Sequence, residues 1–252
     1  MVAETSLGFT AVAVDYDPFA GPEIAWLVPT TESQAEIWMA CLLGGDDANR
    51  AYNESVSLRL TGALDPAAMD QAVQALIRRH EALRAAFSAN GAQMCVFRQR
   101  PITLAYDDVS PRTEADKEQF VADYVRQDAL HVFNLTEGPL LKAGLIKLAD
   151  GVYHLTLTAH HIICDGWSVA VMLQDLSKLY SAYARNMFPD LPPAVLFSRF
   201  ADEQFLFTKS ADYQRLEQFW VEQYQASIPV VNLPTDGPRP ALRTFASERL
   251  DY

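Results

Sequence analysis

An α/β sandwich, a sheet covered by helices, is the fold class that three features of the sequence predict. Residues 55–60 (Ser-Val-Ser-Leu-Arg-Leu) and 153–160 (Tyr-His-Leu-Thr-Leu-Thr-Ala-His) alternate in polarity, as half-buried strands do. Residues 66–77 and 168–184 instead return apolar side chains at helical spacing: Met69, Val73, Leu76 and Ile77 in the first, Val169, Met172, Leu173, Leu176, Leu179, Tyr180 and Tyr183 in the second. The two kinds of segment interleave along the chain with no equal repeats.

Taken in order, residues 1–28 read as a linker, because Asp15-Tyr16-Asp17-Pro18 and Gly21-Pro22 break any regular pattern. Thr30 or Thr31 then caps a first helix carrying Glu32, Gln34, Ile37 and Trp38, and Gly44-Gly45 ends it. Asp65-Pro66 opens the second helix, with the carboxylate as cap and proline in the first turn. Strands are expected at 93–98 and 140–148, with a helix at 114–131 between them packing through Phe120, Tyr124 and Val125. After residue 185, Pro189, Pro192 and Pro193 mark a connection. A helix at 212–225 follows, with Leu216, Phe219, Trp220 and Tyr224 on one face, and then an extended strip, Leu233-Pro-Thr-Asp-Gly-Pro-Arg-Pro240.

Composition narrows the function classes. Half of the 252 residues are hydrophobic and the formal net charge is -12, so bulk electrostatics disfavour nucleic acid and anionic membrane as partners. The three cysteines, Cys41, Cys95 and Cys164, form no C-x-x-C pair, which points to neither a zinc site nor a disulfide framework. A reducing cytoplasm is the simplest location for such thiols. The first residues lack the pattern of a signal peptide, and no uninterrupted apolar stretch reaches the ~18 residues of a membrane span. Neither a glycine-rich phosphate loop nor a cluster of metal ligands is legible.

Chemistry concentrates in His160-His161-Ile162-Ile163-Cys164-Asp165-Gly166, where a strand gives way to a helix. Adjacent strand residues point to opposite faces, so the two histidines cannot both serve one substrate. Extrapolated alternation puts His161 on the face of Leu155, Leu157 and Ala159, and His160 with Thr156 and Thr158. One imidazole can then accept a proton near neutral pH while the other braces the strand. Asp165 can fix the turn or pair with an arginine, and Gly166 lets backbone approach a ligand. On spacing alone, a satisfied core or surface histidine explains the same residues. Cys164, flanked by apolar residues, reads as packing rather than a nucleophile.

His160-His161-Ile-Ile-Cys-Asp165-Gly166-Trp167-Ser168 resembles the HHxxxDG signature of nonribosomal peptide synthetase condensation domains, relatives of chloramphenicol acetyltransferase and other CoA-dependent acyltransferases. Four more segments resemble that family in the same order: Thr31-Glu-Ser-Gln34-Ala-Glu-Ile-Trp38, the RHExLR-like Arg79-His-Glu-Ala-Leu-Arg84, the FDLxxGPL-like Phe133 to Leu140 with Asn134 in place of the acid, and the proline-rich strip ending at Pro240. The resemblance implies a chloramphenicol-acetyltransferase-like two-layer sandwich as N-terminal lobe over residues 29–185. Residues 186–252 would then be crossover helices and the start of an incomplete second lobe, with residues 1–28 a linker from an upstream domain. It implies amide formation between a donor acyl thioester and an acceptor aminoacyl thioester, each on the phosphopantetheine arm of a carrier protein, with no cofactor or metal held by the domain itself. Neighbouring adenylation or polyketide-module domains are implied as well.

In that reading His161 is catalytic, either deprotonating the acceptor amine or positioning it and stabilising the tetrahedral intermediate. His160, Asp165, Gly166, Arg84 and Arg79 shape the loop. Asp165 is expected to pair with Arg84, or failing that Arg79; Gly166 N–H is a candidate oxyanion donor, and Trp167 is expected to pack. Tyr52-Asn53-Glu54 and the N-terminal segment are similar to condensation domains that follow a polyketide module, and the acidic pair of heterocyclising relatives is replaced by the two histidines. Such domains run about twice this length, so this part alone would be inactive, with an open apolar face. A free-standing CoA-dependent acyltransferase and a non-catalytic docking half-domain for carrier proteins are the alternatives.

Overall fold

Four strands form the sheet that carries the histidine pair. In the computed structural model, which describes residues 21–225, 228, 232–238 and 245, β2 (Asn53–Thr61), β5 (Leu104–Asp108), β6 (Leu141–Ala149) and β7 (Val152–His160) pair in the order β2-β7-β6-β5. The β2–β7 and β6–β7 ladders are antiparallel, and β5 runs parallel to β6. A second sheet, in the order β1-β4-β3, is built from β1 (Ile24–Pro29), β4 (Gln93–Phe97) and β3 (Ala85–Phe87). The helices are α1 (Glu32–Ala51), α2 (Pro66–Arg79), α3 (Glu114–Ala129), α4 (Gly166–Tyr183), α5 (Phe197–Phe207) and α6 (Ala211–Gln223).

Register gives the larger sheet two unlike faces. Leu141, Ala143 and Leu145 of β6 stand opposite Ala159, Leu157 and Leu155 of β7, so these side chains share one face. That face joins the main core with Met69, Val73 and Leu76 of α2 and Met172, Leu176 and Leu179 of α4, all nearly solvent-free. The other face carries Thr156 opposite Gly144, and Thr158 opposite both Lys142 and Ser55. Helix α3 closes it with polar groups: buried Asp128 takes Lys142 Nζ at 2.5 Å and Thr156 Oγ1 at 3.4 Å. A buried carboxylate is tolerable because these donors offset its lost hydration.

Helix starts follow the side-chain chemistry. Thr31 Oγ1 accepts from Gln34 N–H while Gln34 Oε1 accepts from Thr31 N–H, a reciprocal capping box. Asp65 Oδ1 accepts from the amides of Ala67 and Ala68, with Pro66 in the first turn.

Two expectations need correction. Residues 24–28 of the expected linker belong to strand β1, paired antiparallel to β4 with Leu27 opposite Cys95; residues 1–20 lie outside the described residues. The Pro-Gly signals around 18–22 end before this segment, and an edge strand of this length has little pattern to show. Helix α1 does not stop at Gly44-Gly45. Gly45 adopts φ 60°, a left-handed conformation that kinks the helix, and helical backbone resumes to Ala51. Arg50 ion pairs with Asp46 and Asp47 brace that last part. Strands β3 and β5 and helix α5 went unassigned in the sequence, whereas α3, α4 and α6 fall within two residues of expectation. Of the proline-rich strip, residues 233–238 have no regular secondary structure, and Arg239 and Pro240 lie outside the described residues.

Gly144 offers a direct check of the α3-to-sheet packing. A Cβ there would overlap the Tyr124 hydroxyl and crowd Thr156 Oγ1 at 2.8 Å. Gly144→Ala is expected to cost about 1–3 kcal/mol by overpacking, measured as a lowered urea midpoint. Adding Tyr124→Phe, which removes the nearest obstructing atom but leaves the ring carbon and Thr156 Oγ1 at 2.8 Å, should restore only part of the loss.

Candidate active site

The two histidines end strand β7 in opposite environments. Asn53 stands opposite His160 and Glu54 opposite Ala159, and His161 N–H continues the ladder by donating to the Tyr52 carbonyl at 2.7 Å. His161 therefore falls one step beyond the strand, in contact with Glu54 on the face of Ala159, as the alternation requires.

His160 is fully buried. Its Nδ1 accepts from the Ile162 amide at 3.2 Å, and Nε2 lies 3.7 Å from Cys41 Sγ. With Nδ1 an acceptor, the proton belongs on Nε2. The Phe133 ring meets it edge-on and Tyr52 lies tilted against it. Burial, with a contribution from the neighbouring His161, pushes its pKa down to about 4. His160 is a neutral brace and not a proton carrier near pH 7.

His161 is about a third exposed. Its ring lies nearly parallel to Tyr52, 13° between planes with centroids 6.4 Å apart. Nδ1 is buried and sits 3.2 Å from Glu54 Oε1, an ion-pair distance without hydrogen-bond alignment. The open part of the ring is accordingly its other edge, which carries Nε2.

Asp165 does not pair with Arg84 or Arg79. Its Oδ1 caps α4, accepting from Ser168 N–H at 2.8 Å and Ser168 Oγ–H at 2.7 Å. The Ser168 hydroxyl and amide hold its pKa below the usual carboxylate range, with His161 adding a smaller pull. The Asp-x-x-Ser spacing is itself a helix-start signal, and a local cap outcompetes a distant arginine because it closes with no loop to order. Gly166 opens α4 with nothing within 4 Å of where a Cβ would stand. Trp167 does not pack; it is 81 % exposed beside this gap.

The arginines serve as distant anchors. Arg79 Nε at 2.8 Å and His80 Nε2 at 2.9 Å both reach Asp175 Oδ2, fastening α2 to α4. Burial works to raise the Asp175 pKa, but these partners prevail and the net shift is downward. Glu81, also buried, accepts the Ser198 amide at the start of α5 at 2.9 Å. Arg84 Nη1 donates to the Phe97 carbonyl of β4 at 2.5 Å, while its Nε is buried without a hydrogen bond. Gln34 of α1, beyond its cap role, donates through Nε2 to the Ile162 carbonyl at 3.1 Å and so holds the histidine loop. Asn49 grips both backbone groups of Phe133, the ring against His160. Asn134, standing where the family has an acid, accepts from the Thr136 and Glu137 amides.

Glu54, Gln34, Asp175 and Ser168 were missed as site residues in the sequence. Only Ser168 had a local signal; the others need strand register or helix packing to be found. Cys164 is buried, and burial foremost, with Glu54 and Asp165 adding to it, pushes its thiol up to about 12, which removes it as a nucleophile. Among the described residues no group of three or more His, Cys, Asp or Glu could hold a metal ion, and no helix is long and apolar enough to cross a membrane.

The sandwich of strands and helices has the chloramphenicol-acetyltransferase-like fold, and solved structures agree. The chain superposes on the starter condensation domain of rhizomide synthetase with a TM-score of 0.73 at 24% identity, covering 81% of this chain and 50% of that one. It matches the first condensation domain of the calcium-dependent antibiotic synthetase with a TM-score of 0.68 at 20% identity, covering 84% and 52%. The sequence profile described as Condensation domain matches residues 25–252, and the chain belongs to that family. It is 34% identical over 240 residues to tyrocidine synthase 2 of Brevibacillus parabrevis, 91% of this chain and 6% of that protein. To surfactin synthase subunit 1 of Bacillus subtilis (strain 168) it is 32% identical over 209 residues, 82% and 6%. The chain thus spans about half the length of the solved condensation domains and a few per cent of the curated synthetases.

The state of His160 predicts an acid response. An unfolded imidazole titrates near 6.5 and the folded one near 4, so between these values the unfolded chain binds the extra proton. This contribution is complete above pH 6.5 and lost as pH falls toward 4, on the order of 3 kcal/mol at most. Urea midpoints at pH 7, 5.5 and 4.5 should fall more steeply for the wild type than for His160→Gln. Equal slopes would show that His160 titrates normally.

Proposed function

We propose that this chain forms part of the catalytic centre for amide bond formation between two carrier-bound thioesters. The observation that carries this reading is the division of the histidine pair, with His160 buried and neutral and His161 presenting its Nε2 edge at the rim of the core face. The acceptor amine would attack the donor thioester carbonyl, forming the C–N bond as the C–S bond breaks. The proton lost by nitrogen would pass to His161 Nε2 and then to the departing thiolate, leaving amide and thiol. His161 can perform this as base or by holding the amine in line, and either role places it against the reacting nitrogen.

The surroundings support the same reading. Open space at Gly166 sets no side chain in the path of a substrate arm there, and the Gly166 amide opens a helix whose N-terminus favours developing negative charge. Substrates would arrive on donor and acceptor carrier proteins, as in the peptide synthetases this chain resembles, with no cofactor held by the domain itself. The apolar side chains left open on α6, Leu216, Phe219 and Trp220, suit packing against a second lobe that excludes water from the site.

Reconstitution of the full protein with a charged donor carrier and a charged acceptor carrier tests this proposal. Amide should form, and His161→Ala should slow it by about a hundredfold or more. Unchanged product formation in that variant would refute the assignment. Turnover of acyl-CoA with a free amine and no carrier protein would point to a CoA-dependent acyltransferase instead.

A further inference from the structure

The pleat of the β2–β7 ladder brings a second ionisable group to the open histidine. Glu54 stands opposite Ala159, and its Oε1 lies 3.2 Å from His161 Nδ1. Among the described residues its carboxylate has no lysine or arginine within ion-pair distance, so this imidazole is its nearest titratable partner, at ion-pair distance but not aligned as a hydrogen bond. The other carboxylate close to His161, Asp165, has its Oδ1 committed to the Ser168 cap. Tyr52, two residues earlier in the chain, restrains the ring twice, through its carbonyl on His161 N–H and through the near-parallel ring. Asn53, between them, is tied by its Nδ2 to the carbonyls of Ala129 and His131, which fixes this end of β2. Tyr52 and Glu54 thus flank the imidazole from the neighbouring strand, whose end Asn53 anchors.

We propose that Glu54 is the positioning residue of His161: its carboxylate selects the neutral tautomer protonated on Nδ1 and thereby leaves the Nε2 lone pair facing the open side. An acceptor-only carboxylate opposite Nδ1 is satisfied when that nitrogen carries hydrogen, and the imidazolium that forms after proton uptake is stabilised by the same negative charge. Nε2 is then the atom able to take a proton from an amine. The arrangement follows the logic of a carboxylate orienting a catalytic imidazole, with the carboxylate supplied by the neighbouring strand instead of the histidine loop. The kinetic part of this inference rests on the function proposed above; the tautomer part does not.

The test is nitrogen-15 NMR of the imidazole nitrogens in the full chain labelled at its five histidines, with the His161 signals assigned by their loss in His161→Ala. Wild-type His161, observed where it is neutral, should show a protonated Nδ1 and an unprotonated Nε2, and Glu54→Gln should shift the balance toward the Nε2–H form. A wild-type ring protonated on Nε2 would overturn the proposal without recourse to any variant. In the carrier-loaded assay, Glu54→Gln should lower kcat about tenfold or more with KM little changed, and should add nothing in a His161→Ala background. An equal Glu54→Gln penalty in both backgrounds would mean that Glu54 acts elsewhere. Product formation that survives His161→Ala would instead overturn the proposed function while leaving the tautomer result intact.

Discussion

The antiparallel pairing of β2 with β7 is the constraint from which the site follows. With Asn53 opposite His160 and Glu54 opposite Ala159, the pleat sends successive residues to opposite sides. His160 is turned inward against Cys41, Tyr52 and Phe133, while His161 is left at the rim with its Nδ1 toward Glu54. Two identical side chains, adjacent in sequence, thereby acquire different surroundings. Burial makes one costly to charge, whereas the other keeps an edge in solvent next to a carboxylate. Moving the register by one residue would exchange their environments and abolish both roles.

Holding that register takes contacts from across the chain. Gln34 from α1 secures the Ile162 carbonyl, Asn49 secures Phe133, and Asp165 with Ser168 sets where α4 begins. One step further out, the segment Arg79 to Arg84 works as a junction. Arg79 and His80 engage α4 through Asp175, Glu81 engages α5 through the Ser198 amide, and Arg84 engages β4 through the Phe97 carbonyl. Each of these contacts ties the segment to α4, α5 or β4, so the motif joins the layers on which the histidine loop rests. The resemblance to RHExLR marked the segment as structural, but its partners are Asp175, Ser198 and Phe97, and not Asp165.

Much of this fold was legible because its central elements are strongly periodic. The alternation in β7 and the stripes of α2 and α4 report the core face directly, and the Asp65 cap fixed one helix start to the residue while Thr30 or Thr31 bracketed the other. The short strands β3 and β5 and the edge strand β1 are too brief, or too evenly apolar, to alternate visibly. Within the site, the pleat separated the two imidazoles onto opposite faces but did not say which of them is buried; the resemblance singled out His161. The Asp165 cap was legible as Asp-x-x-Ser and lost to a long-range pairing that the geometry does not make. Glu54 could not be found, since nothing in a single strand says which residue lies across from it. Tyr52-Asn53-Glu54, read in the sequence as a mark of a polyketide-linked context, has a nearer physical account as the three residues that frame the histidine pair.

The central claim is the unequal exposure of neighbouring imidazoles, and acylation by diethyl pyrocarbonate mapped by tandem mass spectrometry tests it most directly. In the native chain near neutral pH, His161 should be modified readily, and His160 should remain unmodified until denaturant is added. Modification of His160 at a rate matching His161 in the folded protein would contradict the account.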